Sequence, residues 1–315
     1  MKRSAGPDAT LHFIWSQYRS WADTAVHLKK EISLWRFAAL VLTITGALAA
    51  ILSQEFPGPY GKLAGWISAA AVGIAGYAGS KILSGGKEKK WIQARAAAQQ
   101  CKSHAYRYLL KVSPYGNPED DVLIFKTAED LIRSLSSIPQ LLPSKDQELK
   151  GVPSEEYSFD DYLRDRIKSQ AYDYYSPKAA QYAKWLRYAT WAGVGLSVTG
   201  FVLGSLGASG QYAHLSVWVA FISTATASIT SFVAASRYQY LSMSYQVMAN
   251  QLMVLWSKGS RIQKHDLEKQ RQFISNCEEI LAAEGEGWVT EMTRREQTEA
   301  PEPEEKAVSH SGTVL

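Results

Sequence analysis

From Tyr188 to Ser236 the chain carries no Asp, Glu, Lys or Arg, an uncharged run of 49 residues set between densely charged flanks. An element packed in water needs a polar face for solvent as well as an apolar face for the core. A run this long offers no such face. A bilayer does call for one, because a spanning helix needs about 20 mostly apolar residues at ~1.5 Å rise each. The length therefore predicts two spans joined by a tight turn. Whole-chain averages hide this: 46% hydrophobic and 20% charged residues over 315 positions describe an ordinary soluble composition.

Two further spans precede this run. Phe37 to Leu52, FAALVLTITGALAAIL, is short for a span, so Arg36 is expected to snorkel to the headgroups. After the Pro57 and Pro59 turn, Leu63 to Ser80 follows, with Ala or Gly at ten of 18 positions. Small residues let backbones approach closely in lipid, so Ala69, Gly73 and Gly76 are expected to sit against another helix. The third span runs from Tyr188 to Leu206 and the fourth from Leu215 to Ser236. Lys29, Lys30, Arg36, Lys81, Lys87, Lys89, Lys90, Lys178, Lys184, Arg187 and Arg237 flank the spans on one side, and the opposite turns hold only Lys62. By the positive-inside rule both termini and the middle segment are expected in the cytoplasm. The fold class is all-α: an integral membrane protein with four transmembrane helices as two hairpins with cytoplasmic helical extensions.

The halves look duplicated. Leu34-Trp35-Arg36-Phe37-Ala38 enters the first span much as Trp185-Leu186-Arg187-Tyr188-Ala189 enters the third. Each hairpin starts and ends on the same side, which makes this a parallel repeat; the alternative is chance similarity of interfacial Trp-Arg pairs. Residues 1–142 form the first repeat, 143–158 a polar linker, 159–290 the second repeat, and 291–315 a tail read as disordered from its composition. Polar helices are expected at 91–112, 121–142, 237–258 and 266–284.

Little points to chemistry. The net charge of +4 gives no reason to expect nucleic acid. Cys101 and Cys277 make no disulfide framework, and the first residues, with Lys2 and Arg3 but no apolar run, do not read as a signal peptide. The six histidines show no metal-ligand spacing, no nucleotide-loop or hydrolase motif is present, and no span carries an ionisable residue. No enzyme activity, metal or cofactor is expected. One periodic signal remains: Tyr162, Arg166, Gln170, Tyr174 and Lys178 recur every four residues, on one slowly winding helix face, with Ser176 and Pro177 as the start of a fresh helix into span three. The face reads either as a solvated surface or as a surface for a ligand or partner. In the fourth span Ser223, Thr226 and Thr230 share a face, which would suit a wet path in an oligomer or, equally, interhelical packing.

YLRDRIKSQAYDYYSPKA is similar to the pattern that opens the SLATT domains, bacterial two-span effector domains associated with nucleotide-signalling conflict systems. WIQARAAAQQCKSHAYRY resembles the helix after the first hairpin in tandem members, and adds Trp91, Arg95 and Lys102 to the candidate surface. YQVMANQL and CEEILAAEGEGW resemble the closing helices. The chain departs from the pattern at Gln99 and Gln251, where an acidic residue is expected, and at Gly285 in place of His. The resemblance implies a homo-oligomeric effector in the cell inner membrane, acting by pore formation or membrane disruption when triggered by a nucleotide-derived second messenger or a cytoplasmic partner. The competing reading is a membrane-anchored scaffold whose cytoplasmic helices recruit a partner.

Overall fold

The computed structural model describes residues 7–83, 86–117, 119–142, 151–154, 156–210 and 212–299. The described chain is helical, with no strand among the described residues. Helix α1 (Pro7–Glu55) runs unbroken through the first span, and α2 (Pro59–Leu83) returns. Helices α3 (Lys87–Leu109) and α4 (Asp120–Ser134) follow. The second repeat consists of α5 (Phe159–Ala208), α6 (Ser216–Ser236), α7 (Tyr238–Gly259) and α8 (Leu267–Glu299). Four of these helices contain stretches long and apolar enough to cross a membrane, at the four predicted spans. The protein is an all-α membrane protein.

The polar helices differ from expectation at their ends. Helix α4 stops at Ser134, short of the expected Leu142, and α8 continues to Glu299, past the point where the tail was expected to begin. Residues 143–150 of the linker and those beyond 299 lie outside the described residues. Arg36 does not merely snorkel: it pairs with Glu88 at the start of α3, and Lys87 pairs with Glu31, so the membrane edge of the first hairpin is clamped to the following helix.

Within the bilayer portion, α1 packs on α2 and also on α6, and α6 packs on α5; among the described residues α2 and α5 share no packed interface. The spans therefore stand in the order α2, α1, α6, α5, an open row rather than a closed bundle. Ala69, Gly73 and Gly76 do not meet a helix of the same chain, contrary to expectation: all three are exposed, and a methyl group added at Gly73 or Gly76 would find nothing within 4 Å. Contact with α1 is made by the opposite face of α2, where Ala71 and Ala78 are buried. The close approach is set by Gly46 of α1, whose Cβ position lies 3.1 Å from Val72 Cγ2, and the Ser68 hydroxyl donates to the Gly46 carbonyl at 2.8 Å.

Outside the spans, parts of α1 and α5 join α3, α4, α7 and α8 in one helical head with a continuous core. Trp15 of α1 meets Tyr106 of α3, which meets Tyr162 of α5, at centroid distances of 6.0 and 5.8 Å. The two repeats thus share their interior. Between α6 and α7 the chain turns at Arg237, which adopts φ 52, a left-handed conformation unusual for a residue with a side chain.

Candidate functional site

The helical run of α5 is not uniform. Leu163–Lys168 and Gln170–Tyr175 are π-helical, and α-helical geometry begins at Ser176 with Pro177 in its first turn, as expected, but within one helical run and without the expected side-chain cap. Along this run Ile167, Ala171, Tyr175 and Ala179 are buried at four-residue intervals, with Arg166, Gln170 and Tyr174 each one residue before a member of that row.

That row divides into two environments. Tyr162 and Arg166 are fully buried and do not belong to any surface, which corrects the sequence reading. Arg166 forms a two-pronged pair with Glu278 of α8, Nε to Oε1 at 2.8 Å and Nη2 to Oε2 at 2.7 Å, and the Tyr162 hydroxyl donates to Oε1 at 2.9 Å. The guanidinium also lies over the Tyr106 ring, 5.2 Å from its centroid. Burial alone would raise the Glu278 carboxyl, but the Arg166 guanidinium outweighs it and holds the group below its ordinary value. This is a structural lock between the ends of the second repeat, seated on the first.

Gln170 and Tyr174 instead reach a cavity of about 410 Å³ between the repeats. The expected Trp91, Arg95 and Lys102 line it from α3, at spacings that hold them on one helix face. Away from the cavity, Ala94, Ala97 and Cys101 of α3 are buried, small enough to draw the helix close to its neighbours. Five of the eight expected residues therefore meet in one place. Lys178 stands outside, donating to Gln181 at 3.2 Å, though its charge reaches Lys29. Among the lining residues that were not anticipated as site residues are Tyr18 and Lys29 of α1, Gln99 of α3 and Tyr245 of α7. Lys29 had a signal in the sequence, since it falls one turn after Ala25 in the apolar stripe of α1, where a lysine needs a reason to be.

The electrostatics of the cavity are unbalanced. Lys29 donates to the Tyr182 hydroxyl at 2.8 Å and lies over Trp91, and burial, with Arg95 and Lys178 nearby, lowers its pKa to about 8. Lys102 lies over the Tyr18 ring, and burial followed by the charge of Arg166 lowers its pKa to about 7. Among the described residues neither lysine makes an ion pair. Arg95 donates to the Tyr245 hydroxyl at 3.1 Å. Gln99 Nε2 and Gln170 Oε1 are buried without a hydrogen-bond partner, leaving one donor and one acceptor unused. Asp165 and Asp173 stand exposed among the lining groups. Cations, aromatic faces and unused amide atoms suit an anion that carries a planar ring. Among the described residues no group of His, Cys, Asp or Glu is arranged to hold a metal ion.

Residues 16–153 match the SMODS and SLOG-associating 2TM effector domain 3, and residues 162–288 match the SMODS and SLOG-associating 2TM effector domain 1. The chain is a tandem SLATT protein. Each domain supplies one hairpin, and the cavity lies between the two. No curated protein and no solved structure matches the chain. As a SLATT protein it is a membrane effector of the bacterial defence and signalling class. The departure at Gln99 now has a physical setting: an acidic residue there would stand among the cavity cations as an internal counterion, whereas the amide adds no charge to that of the exposed Asp165 and Asp173.

Anion binding to this cavity should weaken as pH rises. Both lysines have lowered pKa values, so they lose their protons as pH passes about 7 and about 8, and with them their attraction for an anion. In the purified full chain, the rise in melting temperature caused by an adenine nucleotide should be largest near pH 6 and small by pH 9. A shift that does not change with pH would show that the nucleotide does not meet these lysines.

Proposed function

We propose that the protein is an oligomeric effector of the inner membrane that permeabilises it when an anionic, nucleotide-like signal enters the cavity between its repeats. The observation that carries this reading is the cavity itself. Its walls come from both SLATT domains, its half-buried lysines make no ion pair among the described residues, and one wall is α5, which continues unbroken into the third span. A ligand that prefers a shifted position of the wall displaces the span with it, in proportion to its preference. By the positive-inside rule the basic flanks support a cytoplasmic head and cytoplasmic termini, on the side where such a signal is found. No step of the reading requires an enzyme activity.

The conducting surface is assigned to the fourth span. Ser223 and Thr230 are exposed and Thr226 half-buried on one face of α6, while Ile222 and Ala225 of the same helix are buried. Since no charge is available in the spans, hydroxyls and backbone carbonyls are the polar groups that can line a path. Neighbouring hydroxyls rest on the helix backbone, Thr224 on the Ala220 carbonyl at 3.0 Å and Ser228 on that of Thr224 at 2.7 Å, which keeps a closed state tolerable in lipid.

A cellular experiment separates this reading from the scaffold alternative. Reporters fused after Lys90 and after Ser154 should be cytoplasmic, and expression of the chain in the presence of its trigger should collapse the membrane potential. External reporters overturn the assigned sidedness, and an intact potential at full membrane abundance favours the scaffold.

A further inference from the structure

The row of four spans has two free ends, and the way the hairpins meet inside the chain shows what fits them. Helices α1 and α5 open the two repeats, and α2 and α6 close their hairpins. The hairpins meet through α1 and α6, an opening helix against a closing helix. Two different surfaces are joined, so the contact is heterologous and leaves its counterpart unfilled at each end. The same step taken once more sets α5, the second opening helix, against α2 of a following copy. We infer that the outer edges of α2 and α5 dock on each other between neighbouring copies, closing the chain head to tail into a ring in the membrane plane.

The two edges are complementary in shape and depth. On α2, the edge turned away from α1 is Ala69, Gly73 and Gly76, all exposed. On α5, contact with α6 is made near Gly200 and Gly204, which approach Ile222 and Val219. The opposite edge presents Trp191, Gly195 and Val198, with Trp191 69% and Val198 59% exposed. Bulky side chains can thus enter a shallow small-residue groove, and in lipid such fit rather than hydrophobic transfer drives helix association. Gly73 lies eight residues before Lys81, and Gly195 eight residues after Arg187. Both therefore sit ~12 Å from the basic membrane edge.

A symmetric α2–α2 dimer would leave both α5 edges bare, whereas the head-to-tail contact covers every edge. All copies share one orientation across the bilayer, since the basic flanks of both repeats lie on the same side. The operator relating successive copies is then a rotation about the membrane normal, and a ring results when its angle divides a full turn.

The test uses the full chain in native membranes, with Gly73→Cys and Gly195→Cys and a short bismaleimide. Cys101 and Cys277 are buried, and the parent chain serves as their control. The double variant should give a ladder that ends at one discrete size. The two single variants co-expressed should give a dimer, and each single variant alone should give none. A second, depth-matched pair, Gly76→Cys with Ala192→Cys, should repeat the pattern if the first pair folds poorly. Absence of a ladder from both pairs overturns the inference, as does a dimer from Gly73→Cys alone. The readout is assembly and not permeation, so a ring that fails to conduct would count against the pore reading and leave this one standing.

Discussion

Replacing Arg166 with Ala should destabilise the chain by about 3–5 kcal/mol, the largest loss expected from any single substitution in the head. Arg166 and Glu278 are both wholly buried, and removing the guanidinium leaves a carboxylate in the interior with only neutral hydroxyls, those of Tyr162 and Ser103, to meet it. The loss is mainly the desolvation of that stranded charge. The paired replacement Arg166→Met with Glu278→Leu should recover most of it, because apolar groups of similar volume carry no such penalty. Melting of the detergent-solubilised protein reads the effect. The neighbouring Cys277 thiol, pushed up to about 12 by burial and then by Glu278, should rise further in the single variant, which loses the opposing charge of Arg166, and fall back in the pair, which also loses Glu278. The pH dependence has a definite sign. Glu278 is depressed in the folded state, so its contribution is present above the usual carboxylate range and is lost as pH falls through it. Arg166→Ala within ~1 kcal/mol of the parent would contradict the lock.

A different outcome is expected in the cavity. Lys102→Gln should leave the unliganded chain at least as stable as the parent, since it removes a charge that burial disfavours. It should weaken the anion by roughly 10- to 100-fold, the range for one lost charged hydrogen bond at about 1.5–3 kcal/mol. Stability and response therefore move independently: Arg166 loses both together, Lys102 only the response. If Lys102→Gln melts early and still responds to the anion, the lysine belongs to the core and the site has been misplaced.

The spans and their pairing were legible because a bilayer imposes a length and a polarity that nothing else imitates. The uncharged run from Tyr188 to Ser236 could become only two helices. Which face of a span meets which neighbour was not legible, since lipid and protein interior are equally apolar. Hence Ala69, Gly73 and Gly76, read from their size as a helix-contact face, meet no helix of the same chain, because small residues do not say which neighbour they face. Tyr162 and Arg166 misled for another reason: an arginine reads as a surface group until its partner is known, and Glu278 lies 112 residues away. The four-residue repeat did mark α5 as unusual, yet π geometry is invisible in residue types alone. Trp91, Arg95, Lys102, Gln170 and Tyr174 were found as candidates through family resemblance and periodicity. Lys29 was passed over as a membrane flank, because it serves one side of α1 as a basic residue and the other as a cavity wall.

The central claim is that the membrane opens in response to an anion held between the two SLATT domains. Efflux of a trapped fluorescent dye or ion indicator from liposomes holding the purified full chain tests it most directly, with an adenine nucleotide and its cyclic and oligomeric forms as probes. The account predicts efflux from the parent with at least one of these anions at pH 6 to 7, a right-shifted response for Lys102→Gln, and reduced flux for Thr226→Val with Thr230→Val at unchanged anion affinity. Liposomes that stay sealed while the anion binds the cavity and stabilises the protein would contradict it, and would leave the protein a membrane-anchored receptor.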